Sequence, residues 1–251
     1  MKNVLKKLSR LPSKLLFLLS YFLLRHNKAV SKLLSIGLTN IRIFNIRKWR
    51  GSRANNIRRY YYTAQYNQKK CFVKLSNDST ILNEIFVNNY ITRCGIDCVP
   101  KLLFSKTNYD KDFSVLILEF KSDMRNFEIP KDEKTFESVC EEFLHIYNKF
   151  SEFNIIHGDI NKSNLLLDSE NRITVIDFGI GRISESDSIR IVRKTHCGTY
   201  FQTMGSYRIY DDAYSFLMML DDCGLPPMYK NKECYKKIES LIGTNSYKVS
   251  M

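Results

Sequence analysis

The chain has 251 residues, enough for one large domain or two small lobes around a hydrophobic core. Its 39 Lys and Arg residues against 26 Asp and Glu residues give a formal net charge of +13, which indicates either an anionic partner or a surface charge that serves solubility alone. Nucleic acid is disfavoured as that partner, because no basic and aromatic recognition module stands out. The seven scattered Cys residues lack zinc spacing and indicate reduced thiols in a cytoplasmic protein.

The first 35 residues differ from the rest of the chain. Basic residues between Lys2 and Lys14 precede an apolar run, Leu15–Leu24, and further basic residues follow it. The run is too short to span a bilayer, and no small-residue cleavage site follows it. Two interpretations stay open. Residues 1–35 bind an anionic membrane surface, at the inner face of a membrane, or they form a helix that packs on the domain.

Three β-strands are predicted next, over Ile41–Ile46, Ile57–Gln65 and Cys71–Leu75. The third strand carries Lys74 within an apolar run, and a buried charge of this kind requires a partner. Gly51 lies between the first two strands.

A helix is predicted from Ser79 or Thr80, as its cap, to about Cys94. Glu84 is the only acidic residue between Asp78 and Asp97, so it is the candidate partner of Lys74.

Two antiparallel strands, Leu102–Lys106 and Ser114–Phe120, are predicted after this helix, and the chain turns polar at Lys121. A long helix over residues 132–153 follows. Its apolar residues at helical spacing, including Phe136, Phe143 and Phe150, are expected in the core.

The stretch 155–179 carries the most specific pattern of the sequence. It reads IIHGDINKSNLLLDSENRITVIDFG and places Asp159, Asn164 and Asp177 at the ends of short strands. Oxygen ligands of this kind suit Mg²⁺, which is bound by few protein carboxylates together with substrate phosphates. Asp159 is then available to accept a proton from a hydroxyl group.

This stretch resembles the catalytic and metal-binding loops of the protein-kinase-like superfamily, H-x-D-x-x-x-x-N followed by D-F-G. The resemblance implies an α+β, two-lobed protein-kinase-like fold with a small antiparallel-sheet N-lobe and a mainly helical, shortened C-lobe. The implied division is an N-terminal segment over 1–38, an N-lobe over 39–120 and a C-lobe over 121–251. ATP and Mg²⁺ are the implied cofactors.

The resemblance also implies roles for individual residues. Lys74, oriented by Glu84, would hold the α- and β-phosphates, and Asp159 would orient and deprotonate the acceptor hydroxyl. Asp177 and Asn164 would bind the metal.

The remaining nucleotide contacts implied by the resemblance are main-chain contacts. Backbone groups near Glu119 and Lys121 would meet the adenine. Gly51 would belong to the phosphate-covering loop, although the pattern G-x-G-x-x-G is absent there.

Three functions stay open: a kinase of protein Ser/Thr, a kinase of a sugar or lipid-linked glycan, and a pseudokinase or scaffold. Gly198-Thr199 and the helix starting at Asp212, whose carboxylate would brace the catalytic loop, resemble elements of protein Ser/Thr kinases. The form His157-Gly158-Asp159, without the arginine of regulated protein kinases, resembles Bud32 and RIO kinases, lipopolysaccharide-core kinases and aminoglycoside phosphotransferases, which favours a sugar or lipid-linked glycan. The third function is a nucleotide-binding pseudokinase or scaffold, supported by the degenerate glycine-rich loop.

Overall fold

The computed structural model describes residues 26–44, 50–52, 57–110, 113–183 and 198–250. An antiparallel sheet lobe is followed by a mainly helical lobe, so the predicted α+β, kinase-like fold class is confirmed. The apolar run 15–24 lies outside the described residues. Within the described ranges, no helix is long and apolar enough to cross a membrane.

The sheet lobe is built on six antiparallel strands in the order β1-β3-β4-β6-β5, with β2 paired to β3. These strands are β1 Thr39–Ile43, β2 Arg50–Ser52, β3 Ile57–Tyr66, β4 Lys69–Ser76, β5 Leu102–Asp110 and β6 Phe113–Glu119. The sequence predicted β3, β4 and β6 to within about two residues. The predicted first strand starts two residues and ends three residues later than β1, and β2 is not predicted.

The register of β3 and β4 decides which side chains face the cleft between the lobes. Asn67 and Gln68 both have positive φ angles, 47° and 64°, as a tight hairpin turn requires. This turn sets Tyr61 opposite Lys74. The alternation of the strand then sends Tyr60 and Tyr62 to the other face of the sheet, where both are buried.

Residues 26–35 form a helix, α1, on the back of the sheet. Ala29 and Leu33 of this helix are buried in one apolar cluster with Tyr62 and Val73. Residues 26–35 of the N-terminal segment therefore pack on the domain, as one of the two interpretations predicts. The membrane interpretation of the residues before them stays a prediction.

Helix α2, Ser79–Arg93, packs on the cleft side of the sheet through Ile81 and Ile85. The prediction that Ser79 or Thr80 caps this helix is wrong. Asp78 is the N-cap, and its carboxylate accepts a hydrogen bond from the Thr80 amide at 3.2 Å. The same carboxylate binds Arg59, so Asp78 also joins the helix to β3.

The helical lobe contains α3 Glu133–Glu152, α4 Asp212–Asp222 and α5 Glu233–Ser240. The predicted apolar stripe of α3 is buried, and Phe143 stacks on Phe216 of α4 with ring centroids 3.8 Å apart. This stack fixes the start of α4, and therefore Asp212, relative to the chain that follows α3.

Three small antiparallel sheets present the loops of the helical lobe. Strand β9, Leu165–Leu167, pairs with β7, Arg125–Asn126, and with β10, Ile173–Val175. Strand β8, Ile155–Ile156, pairs with β11, Arg182–Ile183.

The third small sheet joins β12 Gln202–Met204, β13 Tyr207–Asp211 and β14 Ser246–Ser250. None of these three strands is predicted from the sequence. Their pairing brings the C-terminal strand beside the loop that carries Asp159.

Candidate active site

A buried ion cluster lies where the two lobes meet. The Lys74 ammonium contacts the carboxylate of Glu84, from α2, and Oδ1 of Asp177 at 3.0 Å. Lys74 and Glu84 are almost fully buried, whereas about half of the Asp177 side chain is exposed. The structure thus brings together three of the predicted site residues.

The charges in this cluster stabilise one another. Burial alone would lower the pKa of Lys74, but the carboxylates of Asp177 and Glu84 outweigh it and raise that pKa above its ordinary value. The Lys74 charge in turn lowers the pKa of Asp177. Burial raises the pKa of Glu84, and the contact with Lys74 opposes that rise. Lys74 is therefore a fixed positive charge at the cleft.

The loop that carries Asp177 is held in an unusual conformation. Asp177 has a φ of +69°, a backbone region that costs free energy for a residue with a side chain and is found at functional sites. Asn83, next to Glu84 in α2, donates to the carbonyls of Phe178, Gly179 and Gly181 at 3.2, 3.3 and 2.8 Å. The helix and the loop are thereby joined directly.

Asp159 is oriented by hydrogen bonds on both carboxylate oxygens. Its Oδ1 accepts from the amide and the hydroxyl of Thr199, at 2.7 and 2.8 Å. The Asn164 amide donates to Oδ2 at 3.2 Å and to the Asp159 carbonyl at 2.9 Å. Because the Asn164 nitrogen is used in this way, its side-chain oxygen is the atom suited to a cation.

Asp212 braces the backbone of the loop that carries Asp159. Its two carboxylate oxygens accept the amides of His157 and Gly158, at 2.7 and 2.9 Å. Burial raises the pKa of Asp212, and the His157 ring and the two backbone N–H groups oppose that rise. His157 is fully buried, and its Nε2 lies 2.9 Å from the Ile176 carbonyl, so it also has a bracing position.

The cleft between the lobes encloses a cavity of about 240 Å³. Six of the predicted site residues line it, namely Lys74, Glu84, Glu119, Lys121, Asn164 and Asp177. Gly51 lies in β2, paired with Arg58, and its part in covering the phosphates stays a prediction. Asp159 adjoins the cavity through Asn164.

Phe44, Tyr61 and Phe72 form an aromatic roof over this cavity, and the sequence patterns do not predict it. Tyr61 stacks on Phe72 with centroids 6.0 Å apart, and Phe44 meets Phe72 edge-on at 5.3 Å. An available signal was the spacing of Phe72 two residues before Lys74, which puts both on one face of a strand.

The donor set fits a magnesium ion that is bound mainly through a substrate. In the part of the chain that the structure describes, no cluster of three or more His, Cys, Asp or Glu side chains could hold a metal alone. Asp177 and Asn164 both line the cavity, and each carries a side-chain oxygen that could bind a cation. Mg²⁺ commonly takes one or two carboxylates and completes its shell with phosphates and water.

Comparisons with known proteins agree with this geometry. The family model of the ABC1 atypical kinase-like domain matches residues 110–202, just over a third of the chain. Cysteine-rich receptor-like protein kinase 37 of Arabidopsis thaliana is 30% identical over 129 residues, which are 44% of this chain and 20% of that protein. Extracellular signal-regulated kinase 7 of Drosophila melanogaster is 27% identical over 160 residues, 62% of this chain and 14% of that protein.

A rice relative, Cysteine-rich receptor-like protein kinase 10 of Oryza sativa subsp. japonica, is 33% identical over 79 residues, 29% of this chain and 12% of that protein. The chain thus spans a fifth or less of the length of these three relatives. Fold and matches together place the chain in the protein-kinase-like superfamily.

Replacing Asp212 by Asn should destabilise the fold. The amide can accept one of the two backbone N–H groups, whereas its own NH₂ would face the other and leave it unsatisfied. We expect a loss of about 1–3 kcal/mol in the free energy of unfolding, measured by urea denaturation. Asp123→Asn, in an exposed turn, is the matched control. An unchanged urea midpoint for Asp212→Asn would contradict the bracing position.

Proposed function

We propose that this chain is an ATP- and Mg²⁺-dependent phosphotransferase that moves the γ-phosphate to an acceptor hydroxyl, with protein Ser/Thr as the leading acceptor class. The observation that carries the proposal is the convergence of Lys74, Glu84 and Asp177 with the Asp159–Asn164 pair on one cleft. Phosphoryl transfer depends mainly on positioning and charge neutralisation, and this arrangement can supply both.

The nucleotide would lie under the aromatic roof. The backbone N–H groups of Glu119 and Phe120 already bond the carbonyls of Lys101 and Lys70, at 2.8 and 3.2 Å. Recognition of the base therefore falls to the Glu119 carbonyl and the Lys121 N–H. Phe72 would contact the base from above, and Lys74 would hold the α- and β-phosphates.

Asp177 and Asn164 would hold the magnesium ion, which supplies neutralisation of the phosphate charge when it is bound. Lys74 keeps the Asp177 carboxylate ionised, since the ammonium lowers its pKa. Asp159 would orient the acceptor hydroxyl and take its proton, with Thr199 and Asn164 fixing the direction of the carboxylate.

Two substitutions separate acceptor chemistry from nucleotide binding. Asp159→Asn should lower kcat by at least about 100-fold, because it removes the proton acceptor, while ATP affinity measured by calorimetry stays close to that of the wild type. Asp177→Asn should weaken magnesium-dependent ATP binding as well as turnover. Glu170→Gln, an exposed residue of the neighbouring turn, is the control.

Asp159→Asn with wild-type turnover would overturn the role assigned to Asp159. Wild-type protein that binds ATP but transfers no phosphate to any acceptor would favour the pseudokinase or scaffold alternative instead.

The contact of Thr199 with Asp159 favours a protein acceptor, since it ties the Gly198-Thr199 element to the catalytic carboxylate. The glycan alternative has its own support. The Asn161 side chain donates a hydrogen bond to the Asp159 carbonyl and accepts one from the Ser163 amide. An uncharged residue therefore occupies the position where protein Ser/Thr kinases carry Lys.

An acceptor assay separates the two classes. With radiolabelled ATP, we expect transfer to Ser and Thr of the chain itself, detected by mass spectrometry, and to a Ser/Thr-rich protein such as casein. Lipid-linked glycans should stay unlabelled. Asp159→Asn controls for contaminating kinases. Label confined to the glycan would replace the leading acceptor class with the alternative.

The domain division into 1–38, 39–120 and 121–251 remains part of the proposal, as does attachment of the N-terminal basic and apolar segment to an anionic membrane surface. Since Ala29 and Leu33 belong to a buried cluster, the separable part is the stretch before residue 25.

Deleting residues 2–24 should abolish co-sedimentation with vesicles that contain anionic lipid and should leave ATP binding unchanged. Vesicles of neutral lipid are the control and should bind neither form. Equal binding of the full and shortened chains would refute membrane attachment through this segment.

A further inference from the structure

Gly158 of the catalytic loop has a neighbour that leaves no room for a side chain. Its φ is +75°, and a Cβ built on it would lie 2.5 Å from the phenol oxygen of Tyr247. Tyr247 belongs to β14, far along the chain. The space beside the loop is therefore filled by an aromatic ring from the C-terminal strand.

The other side of Gly158 is enclosed as well. A Cβ at Gly198 would collide with the Gly158 carbonyl oxygen, so the chain leading to Thr199 passes directly against the loop. The peptide immediately before Asp159 is thus enclosed between Gly198 and Tyr247. Any displacement of that ring would free one side of it.

The Tyr247 ring also contacts the segment that follows Asp177. The Arg182 guanidinium lies over the ring, 3.9 Å from its centroid, and the phenol donates to the Ile180 carbonyl at 3.4 Å. Arg182 is only 7% exposed, and no described residue accepts a hydrogen bond from its Nε. A desolvated cation of this kind gains most from an aromatic face.

Tyr247 itself is held firmly. Its ring stacks on Tyr210 with centroids 5.0 Å apart, and β14 pairs with β13 from Ser246 to Ser250. Just before β14, the Asn245 amide donates to the Ile155 carbonyl at 2.9 Å. Tyr247 thus links the catalytic loop, the segment after Asp177 and the strand that leads into Asp212.

We propose that Tyr247 is a positioning residue for Asp159, and that its contacts with Gly158 and Arg182 keep the catalytic loop in register with the metal-binding loop. The proposal rests on the proposed function, in which Asp159 orients the acceptor hydroxyl.

The test compares Tyr247→Ala with Tyr247→Phe, which keeps the ring. Tyr247→Ala should lower kcat by on the order of 100-fold with little change in the KM for ATP, as a displaced reacting group predicts. Tyr247→Phe should retain most of the wild-type kcat. Tyr207, on the neighbouring strand β13, is 47% exposed, so Tyr207→Ala is the control for general damage to this sheet.

Hydrogen exchange supplies a second readout that does not depend on catalysis. Tyr247→Ala should speed exchange of the amides at 156–160 and 180–183 and leave the amides of α3 unchanged. If the wild type transfers no phosphate, the proposed function fails, and the exchange data alone decide the positioning of the loop.

Wild-type kcat, or unchanged exchange at 156–160, in folded Tyr247→Ala would overturn the proposal. If that variant does not fold, Arg182→Met decides. Because it removes the cation that lies on the ring, it should lower kcat and speed exchange at 180–183. An Arg182→Met variant with wild-type kcat and wild-type exchange at 180–183 would also overturn the proposal.

Discussion

The buried ammonium of Lys74 is the constraint on which the cleft depends. A charge removed from water must be compensated, and here one carboxylate comes from α2 of the sheet lobe and the other from the loop after β10. The two lobes therefore meet across an electrostatic contact that neither can complete alone. Loss of the Lys74 charge would leave two neighbouring carboxylates without a cation, so the cluster favours a single arrangement of the cleft.

Three aspartates of the site are chemically alike and differ in what surrounds them. Asp212 is 3% exposed, and both of its carboxylate oxygens accept hydrogen bonds from backbone amides. The Asp177 side chain is 52% exposed and lines the cavity. Asp159 lies between these extremes and is directed by Thr199 and Asn164. Environment separates one carboxylate that supports the backbone from two that can meet a substrate.

Local motifs made part of this site predictable from the sequence. The spacing of Asp159, Asn164 and Asp177 fixed the superfamily, and the isolated Glu84 identified the residue that the structure places on Lys74. The aromatic roof was not predictable in the same way, because Tyr61 faces the cleft only in the register set by the 67–68 turn. Tyr247 was missed because β13 and β14 pair across a long separation in sequence, for which no local pattern exists.

Asn83 gives the loop that carries Asp177 a property that matters for small-molecule ligands. Its amide bonds three carbonyls of the segment that includes Phe178, and Phe178 is itself 1% exposed between Phe150 and His157. A compound that binds in the space now filled by the Phe178 ring would first have to break those hydrogen bonds and expose the ring to solvent. Compounds that occupy only the space beneath Tyr61 and Phe72 avoid that cost, so inhibitor discovery should begin with flat heteroaromatic compounds shaped for the roof.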